Sequence, residues 1–218
     1  MGRTPVRSRS VDAVTKIVLT ELDPADDVEA LVAFLTGNEF PFHVQPRLTE
    51  EEARATIAGG RFWSDDSAGF WVIADDERIG IAVLDDLDDA ADGGAPLFDL
   101  RLAEPFRSRG LGVPILRELT RLVFTLFPDL TRFEGQTRED NIAMRTTFVR
   151  AGFVKEAHYR ESWPVEGQPP KASVAYAILR RDWESGTVTP LVWDDLPAPL
   201  GGPSRPGAQR AGSQHAPE

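Results

Sequence analysis

The chain has 218 residues, 41% hydrophobic and 27% charged, and carries 35 acidic against 24 basic side chains for a formal net charge of −11. That size suits one domain with tails, and no apolar run reaches the roughly 18 to 20 residues of a membrane helix. The acidic excess argues against a general nucleic-acid binder, whose affinity rests on neutralised phosphates, and suits either solubility alone or a cationic partner.

The start, MGRTPVRSRS, is basic but lacks the apolar core of a signal peptide, and the chain has no cysteine for a disulfide, a thiolate metal site or a nucleophile. A bacterial cytoplasmic protein is expected. Residues 1–14 and the Pro/Gly/Ala/Ser-rich 197–218 read as disordered tails. Between them, KIVLTEL (16–22) predicts a strand. A helix from about residue 24 to 36 follows, capped by Asp23 or Asp26 and closed by Gly37. LTEEEARATIAGG (48–60) predicts a second helix, with a Thr49 cap, acidic residues in the first turn and a double-glycine stop. GFWVIAD (69–75) and RIGIAVLDDL read as a hairpin, DDLDDAADGGA as a loop, and 96–103 as a strand. In that strand Phe98, Leu100 and Leu102 alternate against Leu97, Asp99 and Arg101. GVPILRELTRLVFTLF predicts a long helix, RFEGQT (132–137) a strand, and REDNIAMRTTFVRAGF a helix closed by Gly152. VKEAHYRESWPV and ASVAYAILRRDW predict a strand pair around EGQPPK. The order is that of an α/β fold with a mixed sheet.

The segment Arg107-Ser108-Arg109-Gly110-Leu111-Gly112 feeds the amino end of the long helix. A glycine-rich turn there aims unpaired N–H groups and the positive helix end at one point, which suits an anion. The glycines permit close approach and the two arginines add charge that can reach phosphate oxygens. It is neither a Walker loop nor a dinucleotide fingerprint, and such a turn also occurs with no ligand.

The segment resembles the Arg/Gln-x-x-Gly-x-Gly/Ala loop of the GNAT superfamily of acetyl-CoA-dependent N-acetyltransferases, in the same place between a strand and a long helix. Asn141-Ile142-Ala143 followed by Phe148 and Ala151-Gly152-Phe153 resembles that family's Asn-x-Ala…Gly-Phe helix. ArgPheGluGlyGln ahead of Asn141, and the closing AYAILRRDW, are similar to the RimJ/RimL-like branch.

The resemblance implies a GNAT domain over 15–186, with a mixed, mostly antiparallel sheet, helices on both faces and two splayed central strands. Residues 187–196 are an extension that packs on the sheet or pairs with a second subunit as a homodimer. The resemblance also implies that the backbone of Arg107, Ser108, Arg109, Gly110, Leu111 and Gly112 holds the acetyl-CoA pyrophosphate. The pantetheine arm then lies along Leu100 and Leu102, and Asn141 hydrogen-bonds the arm, unless it only caps its helix. The acceptor is a small-molecule amine or a peptide N-terminus. A lysine-like amine is neutral in only about one molecule in a few thousand at neutral pH, so a base is wanted. Glu134 and Asp99 are the candidates, on strands flanking the slot, unless they merely pair with Arg132 or Arg101. Where RimI-like relatives carry a Tyr acid and a Glu base, this chain has Phe148 and Gln136; where RimJ/RimL-like ones carry Ser, it has Met144. Those departures leave a non-catalytic acyl-CoA sensor as the alternative, with Tyr159 a substitute hydroxyl. Phe40, Phe42 and Trp63 are expected to line an apolar entrance, Arg145 to be solvated, and His43, His158 and His215 are too scattered to suggest a metal site.

Overall fold

The computed structural model describes residues 15–193. The expected tails and the last residues of the 187–196 extension lie outside the described residues. In chain order the elements are β1 (Ile17–Glu21), α1 (Val28–Thr36), α2 (Glu50–Ala58), β2 (Trp63–Ser64), β3 (Ser67–Ala74), β4 (Glu77–Asp85), α3 (Leu87–Ala91) and β5 (Leu97–Leu102). After a single 3-10 turn come α4 (Gly112–Leu126), β6 (Arg132–Arg138), α5 (Ile142–Ala151), β7 (Val154–Val165), β8 (Gln168–Leu179) and α6 (Arg180–Ser185).

Two antiparallel sheets result. One has the order β1-β3-β4-β5, with β2 on β3; the other is β6-β8-β7. They meet at β5 and β6, which α4 brings side by side without a hydrogen-bonded ladder. The α/β architecture with antiparallel sheets, helices on both faces and a break between the two central strands is thus the expected one.

Local chemistry sets the element ends. Thr49 and Glu52 form the expected capping box: the Thr49 hydroxyl accepts from the Glu52 N–H (3.2 Å) and the Glu52 carboxylate from the Thr49 N–H (2.8 Å). Helix α1 starts later than expected and its N-cap is Asp27, neither Asp23 nor Asp26. The buried Asp27 carboxylate accepts from the Asp23 N–H (2.9 Å) and pairs with Arg78 (3.0 Å), which folds 23–27 into a turn. The expected loop at 85–95 contains α3, because the Asp66 carboxylate accepts from the Asp88 N–H (3.0 Å) and Ala90 is buried. The final strand stops at Leu179, and Arg180–Ser185 is helical where a strand was expected. The Arg180 guanidinium donates to the carbonyls of Phe124, Phe127 and Leu130, beyond which α4 has no further turn to satisfy them.

Each face of the first sheet is covered. Ile115, Leu116, Leu119 and Val123 of α4 pack with Val72, Leu84, Phe133, Phe148 and Tyr176 on one side. Leu31 and Leu35 of α1 and Ile57 of α2 pack with Trp71, Ile81 and Val83 on the other. No described helix is long and apolar enough to cross a membrane. In the extension, Thr189 bonds the Asp182 carboxylate and Lys155 lies over the Trp193 ring at 5.3 Å, while Val188 and Val192 stay exposed.

Phe148 anchors the junction of the sheets: fully buried, it stacks on Tyr176 (4.7 Å between centroids) and touches Phe98 (5.9 Å) and Phe153 (5.3 Å). Replacing it with Ala removes the shared filler of both sheets, and Phe148→Ala is expected to cost about 3–5 kcal/mol in urea denaturation.

Candidate active site

The exposed backbone of β5 follows from its register. The Ala103 N–H donates to the Ile79 carbonyl (2.9 Å), and Leu102 lies opposite Gly80. In an antiparallel pair each residue sends its N–H and C=O to the same side, and successive residues alternate. Phe98, Leu100 and Leu102 therefore turn their backbone groups away from β4, toward β6, where no ladder takes them.

β5 and β6 touch where the Phe98 ring lies against the Gly135 backbone and 5.3 Å from Phe133. Beside that contact a cavity of about 540 Å³ opens. Asp99, Leu100 and Arg101 of β5 line one side of it. Gln136, Thr137, Asn141 and Met144 line the other, and Phe42, His43 and Val44 from the α1–α2 loop complete the wall.

The turn after β5 leads into α4. Ser108 (φ 59°) and Gly110 (φ 80°) have left-handed backbone, and Gly110 faces open space. No N–H from Gly110 to Val113 has a partner among the described residues; the first bond of the helix is from Ile115 to Leu111 (3.1 Å). Gly112 serves packing instead: a Cβ there would lie 2.8 Å from the Thr147 hydroxyl of α5. The two arginines differ. Arg109 is exposed, its guanidinium 5.2 Å from the Phe106 ring. Arg107, expected to reach phosphate with its charge, folds inward: Nε donates to the Leu102 carbonyl (2.9 Å), and the guanidinium lies 5.3 Å from the Phe40 ring. The carbonyl is free because β5 lacks a partner on that edge.

Asn141 caps α5. Its Oδ1 accepts from the Met144 N–H (3.1 Å) and its Nδ2 donates to Thr137 (3.0 Å), while the residue also lines the cavity. Both ends of the amide are thus engaged within the chain.

Of the two candidate bases, Glu134 pairs with Arg132 (2.8 Å), which also holds Glu156 (2.6 Å), and it does not line the cavity. On β6 it alternates with the buried Phe133 and Gly135 and ends in an ion-pair network, so the geometry does not favour it as the base. Asp99 does line the cavity, but its oxygens are occupied: Arg101 Nη2 lies at 2.7 Å, Arg61 at 3.4 Å and His43 Nε2 at 2.9 Å. Burial by itself would raise the Asp99 carboxyl. The Arg101 charge and the His43 hydrogen bond outweigh it and hold that carboxyl well below the usual carboxylate range. A carboxylate so held is a poor proton acceptor, which does not favour Asp99 as the base. Asp85, also on the wall, is pushed up by burial against the opposing pull of its partner Arg61.

Other expectations change as well. Phe42 lines the cavity, whereas Phe40 is buried behind it and Trp63 packs beside Phe62. Arg145 is half-buried rather than freely solvated; it donates to Tyr176 Oη (3.2 Å) and the Glu139 carbonyl (2.7 Å). Tyr159 is half exposed and away from the cavity, and Phe148 is core. Two cavity residues had no functional signal in sequence. His43 and Trp163 each carry a buried ring nitrogen, Nδ1 and Nε1, with no partner. Only the aromatic character of 38–46, noted as an entrance, pointed toward His43.

A family model described as an acetyltransferase (GNAT) domain matches residues 16–154. The chain belongs to the GNAT acetyltransferases. Among solved structures the GNAT chain is similar to a probable acetyltransferase at 22% identity, over 77% of this chain and 94% of that one, with a TM-score of 0.63. It is also similar to spermidine N-acetyltransferase from Vibrio cholerae, solved with CoA and spermine (16% identity, 77% and 98% covered, TM-score 0.65). RimL, a ribosomal L7/L12 alpha-N-protein acetyltransferase solved with CoA, matches at 19% identity over 77% and 95%, with a TM-score of 0.60. These likenesses establish the GNAT fold. A search of curated proteins by sequence finds no match.

Because Asp99 is ionised only in part in an unfolded chain near pH 4 and fully so in the folded one, its contribution to stability is present above about pH 4 and lost as pH falls toward its depressed folded value. Asp99→Asn, which leaves Arg101 unpaired in a largely buried place, is expected to lower stability by about 3 kcal/mol at neutral pH and to flatten the decline between pH 5 and 3. Urea titrations at a series of pH values test this.

Proposed function

We propose that this chain is an acetyl-CoA-dependent N-acetyltransferase that moves an acetyl or related short acyl group from the CoA thioester to a primary amine by direct attack. The observation that carries it is the unpaired edge of β5, ending in a turn of free N–H groups at the head of α4. An extended pantetheine arm can add to that edge as a further strand would, through the Leu100 carbonyl and the Leu102 N–H, the Leu102 carbonyl being taken by Arg107. The turn from Arg107 to Gly112 then meets the pyrophosphate with the N–H groups of Gly110, Leu111 and Gly112 and with the exposed Arg109. Ser108 and Gly110 supply the left-handed bends, and Arg107 braces the end of β5. Asn141 orders the cavity wall. The reading agrees with GNAT membership and with structural neighbours that hold CoA.

Chemically, the cavity lets an amine approach the thioester carbonyl from the face of β5 that bears Asp99 and Arg101. The Leu100 N–H, turned into the gap, supplies a donor for the developing oxyanion. Phe148 and Met144 offer no acid, but a thiol with a pKa near 8.5 leaves with little help, so the reaction does not require one. The pairing of Glu134 with Arg132 and of Asp99 with Arg101 disfavours both as the base. The acceptor is a small-molecule amine or a peptide N-terminus, and the ArgPheGluGlyGln block and the likeness to RimL favour the RimJ/RimL-like branch. The two wall carboxylates, Asp85 and Asp99, are each paired with arginine. That pairing leaves no uncompensated negative charge on the wall to favour a polycation over a monoamine.

Gly110 offers a clean test of the turn, because Asp and Asn both tolerate left-handed backbone and differ in charge. Gly110→Asp is expected to weaken acetyl-CoA binding in calorimetry by at least about 100-fold, and Gly110→Asn by no more than about 10-fold. Equal losses in both variants, or no binding by the wild-type chain, overturn the assignment. Turnover is measured as free CoA thiol released from acetyl-CoA with benzylamine, spermidine and an alanine-initiated peptide; benzylamine or the peptide is expected to outpace spermidine. Tight CoA binding with no turnover on any of them favours an acyl-CoA sensor.

A further inference from the structure

We infer that Asp85 is the base of the acceptor site, taking the proton of the acceptor amine through water at its unbonded oxygen, Oδ2. This inference deepens the acetyltransferase reading above and rests on it. Asp85 is the last residue of β4, in register with Ser67 of β3 on one side and Leu97 of β5 on the other. Residues paired across strands share a face, and every second residue returns to it. Ile81, Val83 and Asp85 therefore share the face of Leu97, Asp99 and Arg101. Ile81 and Val83 are fully buried against Leu31, Leu35 and Ile57. The next residue on that face is a carboxylate, and it lines the cavity of about 540 Å³. A charge that ends an apolar stripe is costly unless it is paired or employed.

Asp85 is only half paired. Arg61 Nη1 donates to Oδ1, whereas Oδ2 accepts no hydrogen bond among the described residues and keeps solvent contact. Of the Asp85 side chain 28% is exposed, against 14% for Asp99. Both oxygens of Asp99 are engaged, Oδ1 by His43 and Oδ2 by Arg101. The charged groups around Asp85 are Arg61 from the turn after α2, its chain neighbour Asp86, and Asp99 with its own partners Arg101 and His43. Burial pushes the Asp85 carboxyl up, and Asp99 and Asp86 push the same way, against the pull of Arg61. The two wall carboxylates are thus driven apart: Asp99 stays ionised, and Asp85 is the one able to take and return a proton.

The step balances within the two substrates. Asp85 stands level with Leu97, further along β5 than the Leu100 N–H that meets the oxyanion, so water in the cavity spans the distance. The amine nitrogen forms a bond to the thioester carbonyl carbon, and its proton passes through that water to Asp85 Oδ2. The carbon–sulfur bond breaks, the thiolate leaves with the electron pair, and the proton returns from Asp85 to neutralise it as the CoA thiol. The products are the amide and CoA, with Asp85 ionised again.

The test uses the full chain, acetyl-CoA, and whichever of benzylamine, spermidine or the alanine-initiated peptide turns over fastest. Asp85→Asn, which keeps the shape and removes the base, is expected to lower kcat by about 100-fold while leaving the calorimetric acetyl-CoA affinity within about threefold of wild type. The wild-type plot of log kcat/KM against pH is expected to have slope two below the Asp85 midpoint and slope one above it, where only the amine still titrates. That midpoint is expected above the ordinary carboxyl value of about 4, and Asp85→Asn is expected to keep slope one throughout. Asp85→Ala is expected to regain turnover with added formate or acetate, more with the stronger base, which a merely structural role would not produce. An unchanged kcat in Asp85→Asn, a loss confined to the KM for the amine, a slope of two retained in that variant, or no rescue that follows base strength overturns the assignment to Asp85 and leaves the acetyltransferase reading standing. Loss of acetyl-CoA affinity in Asp85→Asn places the residue in folding and overturns the base. A wild-type chain that binds CoA but acetylates none of the three amines overturns both.

Discussion

The structure turns on a single missing ladder. Among the described residues β5 is laddered to β4 on one edge and to no strand on the other, although α4 brings β6 beside it. Buried backbone polar groups are costly when unpaired, so a fold that leaves three consecutive slot-facing residues unsatisfied requires something else to meet them. Part of the demand is met internally, by Arg107 reaching back to the Leu102 carbonyl. The remainder is available to a molecule that is itself an extended chain of amides.

What keeps the ladder open is packing at the base of the gap. The Phe98 ring lies between Phe133 and Phe148 and against the Gly135 backbone, which ties β5 to β6 through side chains where hydrogen bonds would otherwise form. Phe148 then does in this chain what no hydroxyl could do at that position. Stacked on Tyr176 and fully buried, it is committed to the core that joins the two sheets. The side chain at this position is given over to packing.

The wall facing the acceptor is organised by charge. Asp85, Asp99, Arg61, Arg101 and His43 come from β4, β5, the turn after α2 and the α1–α2 loop, and are mutually paired. Such a cluster stabilises little by itself, since desolvation offsets most of the attraction, but it makes the loss of any one member expensive for the rest.

Much of this was legible in the chain itself. The alternation of 97–102 gave the two faces of β5, the Thr49 capping box fixed the start of α2, and the turn from Arg107 to Gly112 declared its own place between a strand and a helix, because each depends on residues close together in sequence. The pairing of Glu134 with Arg132 and of Asp99 with Arg101 was an alternative the sequence left open, whereas the direction of Arg107, the burial of Asp99 and the partner of His43 were not legible. His43 meets Asp99 across 56 positions and Arg61 meets it across 38, and neither pairing leaves a trace in local spacing. The sequence by itself determined most of the elements and the place of the glycine turn, since those follow from backbone geometry and nearest neighbours; only the tertiary structure decided which charged groups cancel and how α3 and α6 form, since that depends on distances between segments the chain order does not encode.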